Sequence, residues 1–337
     1  MTTAVASRTA LNSLYHLGEL PAAQVAALAA RALELRAGAQ PANLGGRALG
    51  LLFLNPSLRT QASFQRAAAK LRLDLVSLQG DKLWALETAD GAVMDGAAAE
   101  HVREAAAVLG RYVDALGVRS FAAFRSLDED LADPLLNGFR RHAGVPVVNM
   151  ESALWHPCQA LADWTTLEQL RVPQRAKFVL TWAWHPKPLP QAVPNSTLCM
   201  AAQRGMDVVL LHPPGLELHE SVLAEARRLA AAAGGRLTIT HDRASALAGA
   251  AVVYAKSYGS LRHWGNAEAE AASRSHLRDW CVTPEWLAPD ARFFHCLPVR
   301  RNVIVTDAVL DGPASAVLDQ AENRLHAQTA LLEQVLA

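Results

Sequence analysis

The sequence predicts an α/β protein of two domains, each a mostly parallel sheet flanked by helices. Short apolar runs, often β-branched, alternate with amphipathic or alanine-rich stretches over most of the 337 residues, as in strands joined by crossover helices. The length suits two domains that each bury a core. Apolar residues form 51% of the chain and charged residues 19%, the profile of a compact soluble protein.

Short apolar runs are the candidate strands, because such runs favour the buried surface of a parallel sheet. Helical patterns lie between them, and the alanine-rich segments 22–32 and 230–233 are good helix formers. The predicted strands are 48–54, 73–78, 114–118, 145–149, 178–182, 207–211, 237–240, 251–254 and 293–295. The predicted helices are 21–36, 61–71, 97–109, 157–171, 218–233 and 319–336.

The proline-rich run 184–190, followed by Pro194, is too stiff for a helix or a central strand, and we predict a rigid loop there. His185 and Lys187 are polar groups on this loop, directly after a predicted strand, where substrate contacts often lie. Most such loops serve only as rigid connections, so both interpretations stay open at this point.

The chain is predicted to divide near residues 149–154. The first domain would comprise 1–150, joined by the C-terminal helix 319–337, and the second 151–318. In open α/β sheets, ligands bind beyond the carboxyl ends of strands. The unusual polar residues follow predicted strands, at 55–60, 119, 151–159, 185–190, 256 and 295–301, so we expect them to converge on one site.

Charge and cysteine usage exclude several classes of function. Lys and Arg number 32, as do Asp and Glu, so no overall basic field predicts binding to nucleic acid or to an anionic membrane. The four cysteines form no CxxC pair, which argues against a disulfide framework or a structural zinc site. No apolar run reaches transmembrane length, and residues 1–10 lack the hydrophobic core of a signal peptide. We therefore expect a cytoplasmic protein.

The stretch Ser57-Leu58-Arg59-Thr60 follows the first predicted strand and precedes the helix predicted over 61–71. A strand, a turn and a helix start together form a socket of backbone N–H groups backed by the helix dipole. The Ser57 and Thr60 hydroxyls and the Arg59 guanidinium would add donors that suit phosphate oxygens. A capped helix with a surface arginine is the alternative, since Ser is a favoured N-cap.

His156-Pro157-Cys158-Gln159 begins another predicted helix, with proline in its first turn. A helix N-terminus disfavours a cationic imidazole and suits a neutral one, so His156 could polarise a carbonyl while Gln159 holds an amide. A structural histidine is the alternative. Arg119, directly after the strand at 114–118, could bind a ligand or form a salt bridge.

Two later segments complete the candidates. His295-Cys296-Leu297-Pro298 follows the last strand, and no neighbouring base activates Cys296 as a nucleophile. A packing cysteine, or one that helps to orient a substrate, is therefore favoured. Glu322-Asn323-Arg324 lies in the C-terminal helix and by itself indicates a solvated face.

Together these segments resemble the aspartate/ornithine carbamoyltransferase superfamily. The motifs are 53–60, Gly117-Val118-Arg119, 156–159 and 295–298, and their order and approximate spacing match from about residue 45 to the C-terminus. Trp84 and the segments 94–96, 100–101, 181–189, 254–256 and 321–324 further resemble the branch that uses N-acylated ornithine.

The resemblance implies a carbamoyltransferase that takes carbamoyl phosphate and an N-acylornithine and needs no metal and no cofactor. It implies that the first domain binds carbamoyl phosphate and the second the acylornithine. The implied catalytic residues are Arg119, His156 and Cys296. The implied carbamoyl phosphate contacts are Ser57, Leu58, Arg59, Thr60, Trp84, Arg119, His156, Gln159, Cys296, Leu297 and Arg324.

On the acceptor side, Glu151, His185, Lys256 and Arg300 resemble acylornithine contacts. Trp84 resembles a tryptophan that enters the site of a neighbouring subunit, so the resemblance implies a homotrimer with shared active sites. It also implies a knotted chain around the proline-rich loop, an exception to the usual topology.

The acyl group is predicted to be succinyl. Acetylornithine enzymes resemble this chain but have a glutamate at the position of Ala99 and a lysine, carboxylated in the family's known form, at that of Ile304, whereas succinylornithine enzymes have a proline and an apolar residue there. A succinyl group ends in an extra carboxylate, and an anion about 4 Å from it would cost roughly 4 kcal/mol at an effective dielectric of 20. The step from Glu151 to His156 and the run 189–196 also resemble the succinyl branch. N-acetylornithine remains the alternative.

Gln61 is the one departure from the family motif, which usually continues with arginine after Thr60. It motivates a rival interpretation, a non-catalytic metabolite-binding relative. A nucleotide-dependent oxidoreductase is a second rival, because the same alternating pattern serves dinucleotide folds. It is disfavoured because neither GxGxxG nor a Walker-type motif follows a predicted strand.

Overall fold

The computed structural model describes residues 11–80 and 83–337. Residues 1–10, where the sequence predicts no signal peptide, and residues 81–82 lie outside this part. The strands are β1 (Ala48–Phe53), β2 (Asp74–Gln79), β3 (Leu86–Glu87), β4 (Glu100–His101), β5 (Ala115–Arg119), β6 (Val147–Glu151), β7 (Lys177–Trp182), β8 (Asp207–Leu211), β9 (Arg236–Thr240), β10 (Val252–Lys256) and β11 (Arg292–Phe294). The helices are α1 (Ala22–Arg36), α2 (Leu58–Leu71), α3 (Val102–Leu109), α4 (Leu127–Ala132), α5 (Pro134–His142), α6 (Pro157–Gln169), α7 (Ala192–Gln203), α8 (Glu220–Ala233), α9 (Arg243–Leu247), α10 (Ala267–Arg274), α11 (Asp307–Leu310) and α12 (Val317–Val335).

The first sheet has the strand order β2-β1-β5-β6, and all of its pairings are parallel. Successive side chains of a strand point to opposite faces. Leu49, Leu51 and Phe53 of β1 accordingly join the core that includes buried residues of α1, α2 and α12, whereas Leu52 joins a separate core with α3 and α5. Helices therefore cover both faces of this sheet, as the alternating pattern predicts.

The second sheet has the order β11-β10-β7-β8-β9 and is also parallel throughout. Its central strands are buried along almost their whole length, which explains why they appear in the sequence as continuous apolar runs. The strands β3 and β4 form a separate two-stranded parallel sheet. The fold class predicted from the sequence is confirmed: two main parallel sheets flanked by helices.

The C-terminal helix α12 packs against α1, α2 and α6. Arg31 of α1 donates to Glu333 of α12 at 2.8 Å, which adds a polar tie to this packing. The last helix of the chain thus returns to the helices beside the first sheet, and it carries Arg324 towards the start of α2.

Each predicted strand is found within two residues of its expected limits. The helix predicted over 97–109 is wrong at its start, because α3 begins only at Val102. The ring of His101 caps it by accepting from the backbone N–H of Arg103 at 3.1 Å, and Glu100 and His101 form a short strand instead.

Pro194 also departs from expectation, since it lies inside the first turn of α7. The first backbone N–H groups of a helix have no partner within the helix, so a proline there removes no hydrogen bond. The run 184–190 itself contains no helix or strand, as predicted.

Candidate functional site

A cavity of about 490 Å³ is lined from both sheets, by residues that lie at or beyond the carboxyl ends of β1, β5, β6, β7, β10 and β11, and by Arg324 of α12. This is where open parallel sheets bind ligands. The structure brings together there all the predicted site residues except Leu58 and Trp84: Ser57, Arg59, Thr60, Arg119, Glu151, His156, Gln159, His185, Lys256, Cys296, Leu297, Arg300 and Arg324.

The stretch 57–60 forms the start of α2. Ser57 is the N-cap, and its hydroxyl oxygen accepts from the backbone N–H of Thr60 at 3.2 Å. Ser57 therefore caps the helix and also lines the cavity. The capped helix and the anion socket predicted for this stretch are compatible. The free N–H groups and the positive end of the helix dipole lie beside the half-buried Arg59, an arrangement that suits an anion.

Asn323 and Arg324 are both buried, so the prediction of a solvated helical face is wrong for these two residues. The guanidinium of Arg324 donates to the hydroxyl of Thr60 and to the amide oxygen of Gln159, each at 2.9 Å, while its Nε has no partner. Burial of a guanidinium is costly unless it is well bonded, and this one still has donor capacity free for a ligand.

Asp163 orients the amide of Gln159 from behind. Its Oδ1 accepts from the amide nitrogen of Gln159 at 2.8 Å and from that of Gln320 at 2.7 Å. Because the nitrogen of Gln159 is held by a carboxylate, its oxygen is directed to Arg324. Burial raises the pKa of Asp163 to about 6, so the carboxylate is still mainly ionised at neutral pH.

Arg119 is buried and pairs with Glu151, the last residue of β6. Its guanidinium also lies 4.5 Å from the ring centre of Phe121, and its Nε has no partner. The salt bridge that the sequence left open is therefore present. It lies within the cavity lining, so Arg119 and Glu151 each remain available to a ligand on their cavity side.

His156 occupies the N-cap position of α6, and its backbone N–H donates to the hydroxyl of Ser196 at 2.7 Å. Its pKa lies well below the ordinary value because the ring is buried and because Arg324 and Arg119 add positive charge nearby. The imidazole is therefore neutral at physiological pH, as the helix-terminus argument predicts. Its Nδ1 has no partner.

Cys296 lines the cavity, but burial raises the pKa of its thiol. A buried thiol with a raised pKa is a poor nucleophile. Leu297 follows with a φ of 55°, and its backbone N–H donates to Nδ1 of His295 at 2.9 Å. These contacts fit a role for 296–297 through the backbone.

His185, Lys256 and Arg300 form the other half of the cavity lining. The Nε of Arg300 donates to Nε2 of His185 at 2.9 Å. Burial and the neighbouring cations, Arg300 first, hold the pKa of His185 below its ordinary value, so the ring stays neutral and can accept this bond.

Leu58 and Trp84 do not line this cavity. The side chain of Leu58 is 81% exposed, which leaves only its backbone for the predicted role. Trp84 is 58% exposed and donates to Glu100 at 2.8 Å. It lines instead a smaller, mostly apolar cavity of about 220 Å³.

The two positions that the resemblance connects with the acyl group also lie outside the main cavity lining. Ala99 is exposed, in the same segment as Trp84. Ile304 is buried in the hydrophobic core. Neither places a charge beside the cavity of its own chain.

Sequence reasoning missed several residues that line or support the site. Asp163 was detectable, since it follows Gln159 by four residues and therefore shares its face of α6. Phe121 comes two residues after Arg119 and lines the cavity. Gln320, whose oxygen accepts from the backbone N–H of His295 at 2.9 Å, had no local signal because its partners are remote in sequence.

Among the described residues, no helix is long and apolar enough to cross a bilayer.

Two family models of the aspartate/ornithine carbamoyltransferases match this sequence. The carbamoyl-P binding domain matches residues 12–169, and the Asp/Orn binding domain matches residues 190–335. Together they cover most of the chain, and each contributes residues to the cavity described above.

Known proteins match over nearly the full length. The N-acetylornithine carbamoyltransferase of Xanthomonas campestris pv. campestris is 44% identical over 317 residues, covering 92% of this chain and 93% of that protein. The N-succinylornithine carbamoyltransferase of Bacteroides thetaiotaomicron is 39% identical over 293 residues, covering 86% and 87%.

A solved structure is similar in both sequence and fold. It is an N-acetyl-L-ornithine transcarbamylase in which one glutamate is replaced by alanine, in complex with carbamyl phosphate and N-succinyl-L-norvaline. It is 43% identical, the match covers 96% of this chain and 99% of that one, and the TM-score is 0.92.

Proposed function

The chain belongs to the aspartate/ornithine carbamoyltransferase family and is a carbamoyltransferase, and from this premise we propose its substrates and its reaction. It transfers the carbamoyl group of carbamoyl phosphate to the δ-amine of N2-succinyl-L-ornithine. The products are N-succinylcitrulline and phosphate, and the reaction would serve arginine biosynthesis. Both N-acylornithine relatives, acetyl and succinyl, support the class of acceptor.

The charge of the cavity lining is the observation that carries the proposal. The lining contains five cationic side chains and one carboxylate, which gives a net charge of +4. A phosphate group brings about −2. Succinylornithine with its amine deprotonated carries two carboxylates, so the two ligands together would bring a charge of about −4, equal and opposite to that of the lining. Acetylornithine has one carboxylate fewer. The lining cations are Arg59, Arg119, Lys256, Arg300 and Arg324, and the carboxylate is Glu151.

The donor half would bind carbamoyl phosphate. Ser57 and Arg59 hold the phosphate at the N-terminus of α2, where free N–H groups and the helix dipole favour an anion. The hydroxyl of Thr60 accepts from Arg324, so its own proton is free to donate to the ligand. Gln159 holds the carbamoyl amide, with the backbone of 296–297 accepting from its nitrogen.

The chemical step is an attack by the neutral δ-amine on the carbamoyl carbon. A bond from nitrogen to carbon forms, the bond from carbon to the bridging phosphate oxygen breaks, and the proton that the amine nitrogen loses can pass to the departing phosphate. Negative charge that develops on the carbonyl oxygen is stabilised by Arg119, by Thr60 and by the neutral ring of His156. The salt bridge to Glu151 keeps Arg119 beside this position.

The acceptor half would bind the carboxylates of the acylornithine through His185, Lys256 and Arg300. Resemblance in sequence places Ala99 where acetylornithine enzymes have a glutamate. The solved relative that holds a succinyl analogue is a form in which a glutamate was replaced by alanine, which supports the succinyl assignment. N-acetylornithine is the second candidate, because identity is higher to an acetyl enzyme, 44% against 39%.

We also propose a homotrimer whose sites are shared between subunits. Trp84 and Ala99 lie on one exposed segment and neither lines the cavity of its own chain. If this segment contacts the acyl group, as the resemblance implies, it would do so in the cavity of another copy. The proposed domains remain 1–150 with 319–337, and 151–318. The packing of α12 against α1 and α2 supports the return of the last helix to the first domain.

Steady-state kinetics with purified protein test the function. Carbamoyl phosphate is held saturating while succinylornithine, acetylornithine and free ornithine are compared by kcat/KM. We expect the order succinyl, acetyl, free ornithine. A strong preference for acetylornithine contradicts the succinyl assignment, and tight binding without turnover of any acceptor supports the non-catalytic rival that Gln61 suggested.

A further inference from the structure

A buried ion pair lies behind the acceptor half of the cavity, outside the cavity lining. Arg274, 1% exposed, pairs with Glu270, four residues earlier on α10. Glu270 also accepts from the backbone N–H of Ser260 at 2.9 Å and from its hydroxyl. Buried charges persist only where they are paired and bonded, so this pair holds α10 to the segment after β10.

The guanidinium of Arg274 also reaches the backbone of the proline-rich loop. It donates to the carbonyl oxygens of His185 and Lys187 at 3.4 and 3.3 Å, and to that of Tyr258 at 3.2 Å. Prolines have no N–H, so this loop cannot be held by a backbone ladder. A side chain with several donors supplies the missing support, and the planar fork of arginine can reach several carbonyls at once.

The contacts of His185 decide which ring nitrogen carries its proton. An arginine is always protonated, so the nitrogen facing Nε of Arg300 must accept, and that nitrogen is Nε2. The backbone N–H of Lys187 also faces the ring, at 3.0 Å from Nδ1, but a neutral ring has only one acceptor nitrogen and the charged guanidinium is the stronger donor. The proton of the neutral ring therefore sits on Nδ1, which lies 2.8 Å from the carbonyl oxygen of Lys187 and donates to it. Arg274 and His185 thus donate to the same carbonyl.

We propose that Arg274 is a positioning residue for the acceptor. It holds the Lys187 carbonyl, and that carbonyl fixes the tautomer and the plane of the His185 ring. The ring in turn directs the Arg300 guanidinium at a carboxylate of the acylornithine. The inference rests on the proposed function, because it takes His185 and Arg300 as acceptor contacts. Burial lowers the pKa of Arg274 only to about 10, so it remains cationic at neutral pH.

Arg274→Lys tests this chain of contacts. Lysine keeps the charge beside Glu270 but has no planar fork to span three carbonyls. We expect kcat/KM for the acylornithine to fall at least about 10-fold, mainly through its KM, which is the loss of one charge-assisted contact. The KM for carbamoyl phosphate should stay within about twofold, because Arg274 touches none of the donor residues. An unchanged KM for the acylornithine would overturn the inference.

Arg204→Lys is the matched control. Arg204 is likewise buried, pairs with Glu168 at 3.0 Å and donates to the carbonyl of Val172 at 2.6 Å, but none of these residues lines the cavity. A general loss of packing lowers the melting temperature of both variants. Only Arg274→Lys should raise the acceptor KM, and equal effects of the two variants on that KM would reject a positioning role.

A double-mutant cycle with His185→Asn separates positioning from mere stability. The asparagine amide can still donate to the Lys187 carbonyl, but it cannot replace Nε2 as the acceptor for Arg300. If Arg274 acts through His185, Arg274→Lys should change the acceptor KM by less than about twofold in the His185→Asn background. Additive effects would overturn the proposal.

The tautomer can be measured in the wild-type protein, so this test does not depend on the folding of an Arg274 variant. ¹⁵N NMR of labelled histidines, with His185→Asn used only to assign the signal, distinguishes a proton on Nδ1 from one on Nε2. We expect Nδ1–H, and a proton on Nε2 overturns the inference. If the protein turns over neither acyl substrate, the proposed function fails while this measurement still reports on the contacts themselves.

Discussion

Arg324 donates a guanidinium N–H to the hydroxyl oxygen of Thr60 at 2.9 Å, although 264 residues separate them in the sequence. The bond joins the C-terminal helix α12 to the first turn of α2. It also orients the hydroxyl, because an oxygen that accepts from arginine turns its own proton elsewhere. The last helix of the chain is therefore part of the donor site rather than a peripheral support.

Arg324→Lys should weaken the donor site. Arg324 reaches Gln159 and Thr60 from two different nitrogens, and lysine lacks this planar fork. We therefore expect kcat/KM for carbamoyl phosphate to fall about 10- to 150-fold, the effect of losing roughly 1.5–3 kcal/mol. Steady-state kinetics at saturating acceptor measure it. Arg36→Lys is the control, since Arg36 also contacts α12, through Asp319 at 3.2 Å, but lies outside the cavity lining. A change below threefold in the Arg324 variant contradicts the assignment.

The neutral state of His156 predicts a pH dependence of stability. In the folded protein its pKa lies well below the ordinary value of 6.5. Below about pH 6.5 the unfolded chain therefore binds a proton that the folded chain does not, so stability falls as pH falls, by up to about 1.4 kcal/mol per pH unit. Chemical denaturation of wild type and His156→Gln from pH 7 to pH 5 measures this. The variant should lose less stability than wild type, and parallel curves would refute the prediction.

Gln61→Arg restores the arginine that the family motif usually carries. Gln61 lies in the first turn of α2 but does not line the cavity. We therefore expect the KM for carbamoyl phosphate to change by less than about threefold, because position 61 is only half-buried and water screens a charge there. A gain above tenfold in kcat/KM would show instead that Gln61 impairs the donor site.

Ala99→Glu tests the basis of acyl specificity. An anion near the terminal carboxylate of the succinyl group costs up to roughly 4 kcal/mol at an effective dielectric of 20. We expect kcat/KM for succinylornithine to fall by about 10-fold or more, while that for acetylornithine changes little. The control is Ala97→Glu, a nearby exposed position. If both substrates or both variants respond equally, Ala99 does not set specificity.

Sharing of sites between subunits predicts complementation. Trp84→Ala and Arg119→Ala each remove one contribution to a site, from different subunits in a mixed trimer. We expect each variant alone to be nearly inactive and the mixture, after dissociation and reassembly, to recover part of the wild-type activity. Sedimentation or light scattering checks the trimer. Without recovery in a mixture that contains mixed trimers, Trp84 does not act in a neighbouring cavity.

Much of the fold was predictable because buried parallel strands are short continuous apolar runs. The run at 207–211 coincides with β8, and the other strands end within two residues of expectation. Helix starts were harder, as at 97–109, where Glu100 and His101 form a short strand and the helix begins only at Val102, capped by His101. Alanine favours helix but does not determine where one begins, since the cap and the tertiary neighbours decide that.

The donor side could be located from sequence since its signals are local. Ser57 to Thr60 follow a strand and open a helix, and Pro157 marks the start of α6 beside His156. These arguments depend only on the chemistry of neighbouring residues.

By itself, the sequence determined the alternation of strands and helices, the family, and the residue types at the carboxyl ends of the strands. Only the tertiary structure decided which partners those residues have. The local pattern alone placed Arg324 on a solvated helical face, although the resemblance implied a phosphate contact, and the structure buries it against Thr60. No local pattern in the sequence indicates that Arg274 contacts the loop of His185. The physical reason is that a hydrogen bond or ion pair depends on distance in space. The periodicity of a sequence indicates only which face of its own helix or strand a residue occupies. Contacts between segments distant in sequence are decided only when the chain folds.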